Sequence, residues 1–161
     1  MQPDLIRAYR RYFPLLVQKC ARMLGETHEA QDLAQETFLR LHAAQLPLDD
    51  ARAVSAWLYR TSTRLAIDRL RARSRHVDAE LAPEALTASE TPESDLQRAG
   101  LWSELARRVP EDELEAALLT HVDGLNQAEI AEVLGIHERS VRRLLGRFGE
   151  RAARIRARSE R

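Results

Sequence analysis

Cysteine occurs once in the 161 residues, as Cys20, so the chain has no internal disulfide framework. Lysine also occurs once, as Lys19, against 24 arginines. The five histidines, His28, His42, His76, His121 and His137, form no zinc-spaced cluster and no pair with a nucleophile. Neither catalytic nor metal-ligating residues nor a cofactor can be named. Glycine-rich phosphate loops of the common types are missing, which removes the usual nucleotide-dependent enzymes. No apolar run approaches the ~18 residues that a membrane span needs. The start, Met1-Gln-Pro-Asp4, lacks the basic-then-apolar order of a secretory signal, so a cytoplasmic chain with no membrane insertion is expected.

The formal net charge is zero, and that sum hides a pattern. Taken as blocks 1–50, 51–76, 77–95, 96–136 and 137–161, the charges are −1, +6, −6, −5 and +6. Two basic segments separated by acidic sequence suggest two contact sites for a polyanion. Solvated helix faces in an arginine-rich composition are the plainer alternative.

Apolar residues recur at helical spacing and no stretch alternates as a strand would, so the expected fold is all-α. Leu5, Tyr9, Tyr12, Leu16, Cys20 and Met23 form a first stripe, with a kink or fresh start expected at Pro14. Gly25 ends that helix and Thr27 is the expected cap of the next, whose buried stripe is Ala30, Leu33, Ala34, Thr37, Phe38 and Leu41. After a loop at Pro47, Asp49 and Asp50, a third helix points Val54, Leu58, Thr61 and Leu65 inward and runs to about Arg73. Residues 77–95 carry six acidic and no basic side chains, with Pro83 and Pro92, and read as a flexible linker. Its r.m.s. reach of roughly 25 Å would let the flanking domains, 1–76 and 96–161, reorient independently.

The most specific local pattern is a helix-turn-helix over 126–145. Ile130, Leu134, Ile136, Val141 and Leu144 supply a shared core, Ala131 permits close approach, and Gly135 sits where the turn needs φ > 0. Asn126 and Glu129 make a capping pair. The second helix presents Arg139, Ser140, Arg142, Arg143 and Arg147 opposite its apolar face, a surface suited to phosphates and guanine edges. Gly146 and Gly149 weaken its end, where it is expected to fray or stop.

The third helix repeats the theme. Arg60, Arg64, Arg71 and Arg75 share one stripe beside Trp57, which suits single-stranded or melted DNA, although Trp57 reads more readily as core. On the second helix, Asp32, Gln35 and Glu36 surround Leu39 on the exposed face. An apolar side chain among carboxylates fits a protein partner with basic groups around an apolar centre.

Together these segments resemble a small sigma factor of bacterial RNA polymerase, of the extracytoplasmic-function type. The run 30–41 (AQDLAQETFLRL) resembles the core-polymerase-binding helix of region 2. The runs 57–60 (WLYR) and 65–71 (LAIDRLR) resemble the segment that opens the minus-ten element. The run 123–135 (DGLNQAEIAEVLG) resembles the region 4 reader of the minus-thirty-five element. The resemblance implies that Asp32, Leu33, Gln35, Glu36, Phe38 and Leu39 meet the polymerase clamp, although Phe38 reads as core. It implies that Trp57, Arg60, Thr61, Arg64, Asp68, Arg71 and Arg75 meet minus-ten DNA, and that the loop 45–52 holds a flipped base. Arg139, Ser140, Arg142, Arg143 and Arg147 would meet the minus-thirty-five duplex.

Two departures bear on promoter sequence: Arg64 stands where the family commonly has asparagine, and Arg143 where it has a small polar residue. The implied partners are core RNA polymerase and promoter DNA, with no small-molecule substrate. Many family members also bind an anti-sigma factor, and nothing in this chain identifies one. The implied place of action is the nucleoid. The competing reading is an autonomous helix-turn-helix regulator that binds palindromic sites without polymerase.

Overall fold

The computed structural model describes the backbone of residues 3–77 and 92–161, and the side chains of 3–75 and 98–161. All regular structure among these residues is helical: α1 (Pro3–Leu24), α2 (Thr27–Ala44), α3 (Ala51–Val77), α4 (Pro92–Arg108), α5 (Glu111–His121), α6 (Gln127–Leu134) and α7 (Glu138–Ser159). The all-α, two-part expectation holds. The expected linker lies mostly at 78–91, outside the described residues; at its ends, Val77 closes α3 and Pro92 opens α4.

Local chemistry explains most of the boundaries. Gly25, at φ 74°, ends α1 in the left-handed region. The cap of α2 is Glu26 rather than Thr27: its carboxylate accepts from the backbone N–H of His28 at 2.9 Å and of Glu29 at 2.7 Å. Two aligned donors are satisfied at once, and they hold the Glu26 carboxyl below its ordinary pKa. Asp50 starts α3 in the same way, accepting from the N–H groups of Arg52 and Ala53. Asn126 and Glu129 form the anticipated reciprocal capping box of α6, and Gly135 closes it at φ 67°.

Two expected breaks do not occur. Pro14 lies inside an uninterrupted α1, where Tyr12, Phe13, Leu16 and Val17 pack against one core on either side of it. Likewise α7 runs through Gly146 and Gly149 to Ser159, because Phe148, Ala152 and Ile155 anchor its later turns. Packing outweighs the ~1 kcal/mol that each glycine costs.

One core lies within the first three helices (Leu5, Leu16, Ala34, Phe38, Leu41, Val54, Leu58). A second lies mainly in the helix-turn-helix (Leu119, Ile130, Ala131, Leu134, Val141). The third is shared, joining Cys20, Met23, Leu24, Leu33, Leu65, Ile67 and Leu70 to Trp102, Leu105, Val109, Leu114, Leu118 and Phe148. The two halves are therefore docked in this structure, in contrast to the independent units expected from linker length alone. The α2 stripe is buried throughout, as its spacing predicted. On α3, Thr61 is only half-buried, and Ser62 and Thr63 occupy the interior beside it.

Candidate nucleic-acid interface

Helix α3 is the central element, and part of its arginine stripe meets the second half, Arg64 doing so while still 46% exposed. Arg64 Nε lies 3.1 Å from Glu115 Oε1 of α5. Arg71 donates to the carbonyls of Ala106 at 3.2 Å and Val109 at 3.5 Å, at the C-terminus of α4 where a cation is favoured. Its remaining nitrogen lies 3.9 Å from Glu111. Arg60 is half-buried, with an Nε that has no hydrogen-bond partner. Asp68 and Arg75 are exposed. Trp57 packs on the core of the first half, as its apolar neighbours favoured. The free basic stripe expected from spacing is thus largely engaged, because the acidic residues of α5 supply partners that spacing within one helix cannot reveal.

A buried ion pair sits beside this face. Lys19, the one lysine of the chain, places Nζ 2.8 Å from Asp123 Oδ2, with the two side chains 3% and 4% exposed. The same ammonium donates to Thr63 Oγ1 at 2.8 Å and to the Tyr59 carbonyl at 3.1 Å, and lies 4.7 Å from the Tyr59 ring centre. Burial pushes the Asp123 carboxyl up and the Lys19 ammonium down in pKa, and each charge opposes that shift in the other. Burial also raises the Glu115 carboxyl, against the pull of Arg64 and Arg60, and lifts the neighbouring Cys20 thiol to about 12. Tyr59 reaches into the core of the helix-turn-helix. None of these partnerships was read from the sequence. The isolated lysine and the four carboxylates of α5 were its only signals.

The second basic helix is arranged differently. In α7, Arg139, Arg142, Arg143 and Arg147 are exposed and Ser140 is half-buried, opposite the buried Val141, Leu144 and Phe148. The exposed face continues past Glu150 through Arg154 and Arg158.

On α2, Asp32, Gln35 and Leu39 are exposed, Leu39 to 70%. Glu36 is paired with Arg40 at 3.2 Å and Arg69 at 3.4 Å. Leu33 is fully buried, so it supports the face from beneath and offers no surface to a partner. Phe38 is also core, stacked edge-on against Tyr9 at 5.2 Å between ring centres. Tyr9, read from its spacing as core, is 40% exposed, and Ile6 is 38% exposed; both extend the apolar surface of the first half. Loop residues Gln45, Leu46, Pro47 and Leu48 line a cavity of about 620 Å³ with Leu5, Leu41 and His42.

Among the described residues no group of three or more metal-ligating side chains comes together, and no helix is long and apolar enough to cross a membrane.

Comparison with known proteins places these features in order. Residues 8–76 match the family model of Sigma-70 region 2, and residues 101–147 match that of Sigma-70, region 4. The chain is 33% identical over 146 residues to the ECF RNA polymerase sigma factor SigW of Bacillus subtilis, covering 83% of this chain and 76% of the relative. It is 30% identical to the RNA polymerase sigma-H factor of Pseudomonas aeruginosa, covering 80% and 77% of the two chains. Identity to the ECF sigma factor SigM of Mycobacterium tuberculosis is 29%, covering 91% and 74%.

Proposed function

Because the chain belongs to the sigma-70 family, as a sigma factor of the extracytoplasmic-function type, we propose an assignment of its surfaces to the two partners of that work, core RNA polymerase and promoter DNA. The protein directs promoter recognition and transcription initiation and is a non-catalytic factor. Residues 1–76 take the polymerase and the minus-ten element, and residues 96–161 take the minus-thirty-five duplex. Its place of action is the cytoplasm, at the nucleoid when engaged. The regulator reading is set aside, since the relatives named above are sigma factors.

Polymerase docks on the α2 face, with Asp32, Gln35 and Glu36 around Leu39. The observation that carries this assignment is Leu39, 70% exposed on a helix whose other face is buried. A large apolar side chain ringed by carboxylates suits a basic surface with an apolar centre. Arg60, Arg64, Arg71 and Arg75, with Trp57, Thr61 and Asp68 beside them, receive unpaired minus-ten bases, and the loop 45–52 holds a flipped base. On α7, Arg139, Ser140, Arg142, Arg143 and Arg147 read the upstream duplex. Arg154 and Arg158 add phosphate contacts that carry no sequence information. Strand opening is driven by trapping unpaired bases, and phosphodiester chemistry stays with the core enzyme.

Co-elution with core RNA polymerase tests the docking face. Wild type should co-elute, and Asp32→Arg/Leu39→Arg should not, while melting at the wild-type temperature. Co-elution of the variant at wild-type strength would contradict the α2 assignment.

A further inference from the structure

Where α3, the end of α4 and α7 meet, five arginines line one cleft of about 570 Å³: Arg71 and Arg75 from α3, Arg107 and Arg108 from α4, and Arg151 from α7. Ala106, Val109 and Pro110 form the apolar part of its wall, and among the described residues no carboxylate lines it. The acidic groups that hold these arginines approach from outside the lining. Glu113, itself 3% exposed, binds Arg151 at 2.8 Å, Glu104 binds Arg108 at 2.9 Å, and Glu111 lies 3.9 Å from Arg71. Arg71 is fixed further by the Ala106 and Val109 carbonyls. A guanidinium carries five N–H donors in a rigid fork, so bonds along one edge set its direction and leave donors for a second acceptor. Arg71, Arg108 and Arg151 are 32%, 41% and 43% exposed, partly withdrawn from water yet open to a ligand. Like charges gathered in one cleft repel one another, and an anion placed between them removes that cost.

We propose that this cleft binds a small anion carrying a run of linked phosphates, of the inorganic triphosphate or nucleoside polyphosphate class. Size and the placing of charge decide for a small ligand over nucleic acid. The volume falls in the range of small-molecule sites, roughly 300–1,000 Å³. The arginines converge from three helices on one concavity, as the dense charge of linked phosphates requires. On α7, by contrast, Arg139, Arg143 and Arg147 are strung along one exposed face, which suits the extended backbone of a nucleic acid. Arg107, Arg108 and Arg151 have no part in the minus-ten assignment, so the cleft does not rest on it. Because both halves line the cleft, its ligand bridges α3 to the second half.

The neighbouring cavity of about 300 Å³ offers no comparable site. Its cations already serve to join helices, Lys19 to Asp123 and Arg22 to the Val122 carbonyl at 3.0 Å.

The test is isothermal titration of the full-length protein with inorganic triphosphate at fixed ionic strength. Wild type should bind at a single site, and Arg107→Ala/Arg108→Ala should bind about tenfold more weakly. Arg75→Ala should weaken binding as well, because the cleft is built from both halves. A control that loses charge elsewhere, Arg10→Ala/Arg161→Ala, should match wild type. Triphosphate should also raise the melting temperature of wild type and control more than that of either cleft variant, and melts without ligand verify that each protein is folded. ATP identifies the source of the phosphates: tighter binding than triphosphate assigns a nucleoside polyphosphate, and equal binding an inorganic chain. Absence of wild-type binding would overturn the proposal, as would unchanged affinity in either cleft variant or an equal loss in the control. So would a single-stranded oligonucleotide that displaces triphosphate and itself loses tenfold in Arg107→Ala/Arg108→Ala, since the cleft would then belong to DNA.

Discussion

Helix α3 carries seven arginines from Arg52 to Arg75, and α7 carries eight from Arg139 to Arg158. On α3, Arg52, Arg64, Arg69, Arg71 and Arg73 each meet a carboxylate from another helix. Among the described residues, Arg151 is the one arginine of α7 that does so, with Glu113; Arg154 pairs with Glu150 of its own helix, Arg156 with Glu160 just past its end, and Arg139, Arg142, Arg143 and Arg147 stay exposed. Arginine content is nearly the same, and availability is opposite. What decides availability is the charge on the neighbouring helix: α3 packs beside acidic α5 and α2, whereas among the described residues no helix lies over the outer face of α7. A basic stripe in a sequence therefore marks a potential polyanion site, and its state in the free molecule is set by tertiary packing.

The largest expected effect comes from breaking the buried pair that registers α3 against the second half. Asp123→Asn leaves the Lys19 ammonium buried without its counter-charge and should cost about 3–5 kcal/mol. The effect is read as a lowered urea midpoint. Lys19→Met/Asp123→Leu, which removes both charges, should recover most of the loss. An unchanged midpoint for Asp123→Asn would mean that the pair does not join the halves in solution.

A smaller effect distinguishes the two helices by pH. The Glu26 carboxyl is held below its ordinary value of 4.5 by the two N–H groups it caps. Its stabilising contribution is therefore full above 4.5 and is lost as pH falls through the depressed folded value. The first turn of α2 also presents Glu29 to Arg73, so loss of the Glu26 cap should loosen the packing of α2 on α3. Helix α7 begins at His137 with no side-chain cap bond and lacks this dependence. Amide protection factors, corrected for the pH dependence of intrinsic exchange and followed from pH 6 to pH 3, should fall at the start of α2 before they fall at the start of α7. Removal of the difference by Glu26→Ala would sharpen the assignment, and simultaneous fraying in the wild type would break it.

Much of the fold was legible because it is locally encoded. The α2 stripe follows helical period, and the α6 capping box and the Gly135 turn are fixed by residues within four positions of each other. The exposed arginines of α7 followed from the same periodicity, as did Leu39 on α2. What escaped the sequence were choices decided by partners far along the chain. Lys19 gives no hint that Asp123 will bury it, and Glu115 reads as one more acidic residue of a helix start. Pro14, Gly146 and Gly149 are breakers by propensity and are overridden by packing on both sides. Glu26 outcompetes Thr27 as a cap because its carboxylate spans two N–H donors at once. The side chains of the acidic segment 77–95 lie outside the described residues. Among those described, the carboxylates that meet the α3 arginines lie on α2, α5 and α6.

The most direct measurement compares two pairs of substitutions on one DNA, a duplex with a single-stranded tail, with and without core polymerase. For the free protein, Arg139→Ala/Arg143→Ala should weaken binding and make the salt slope shallower by about 1.8, two duplex phosphate contacts at ~0.9 each. Arg64→Ala/Arg71→Ala should leave free-protein binding unchanged and weaken binding to the tail once core polymerase is added. A free protein that loses as much affinity from the α3 pair as from the α7 pair would contradict the account.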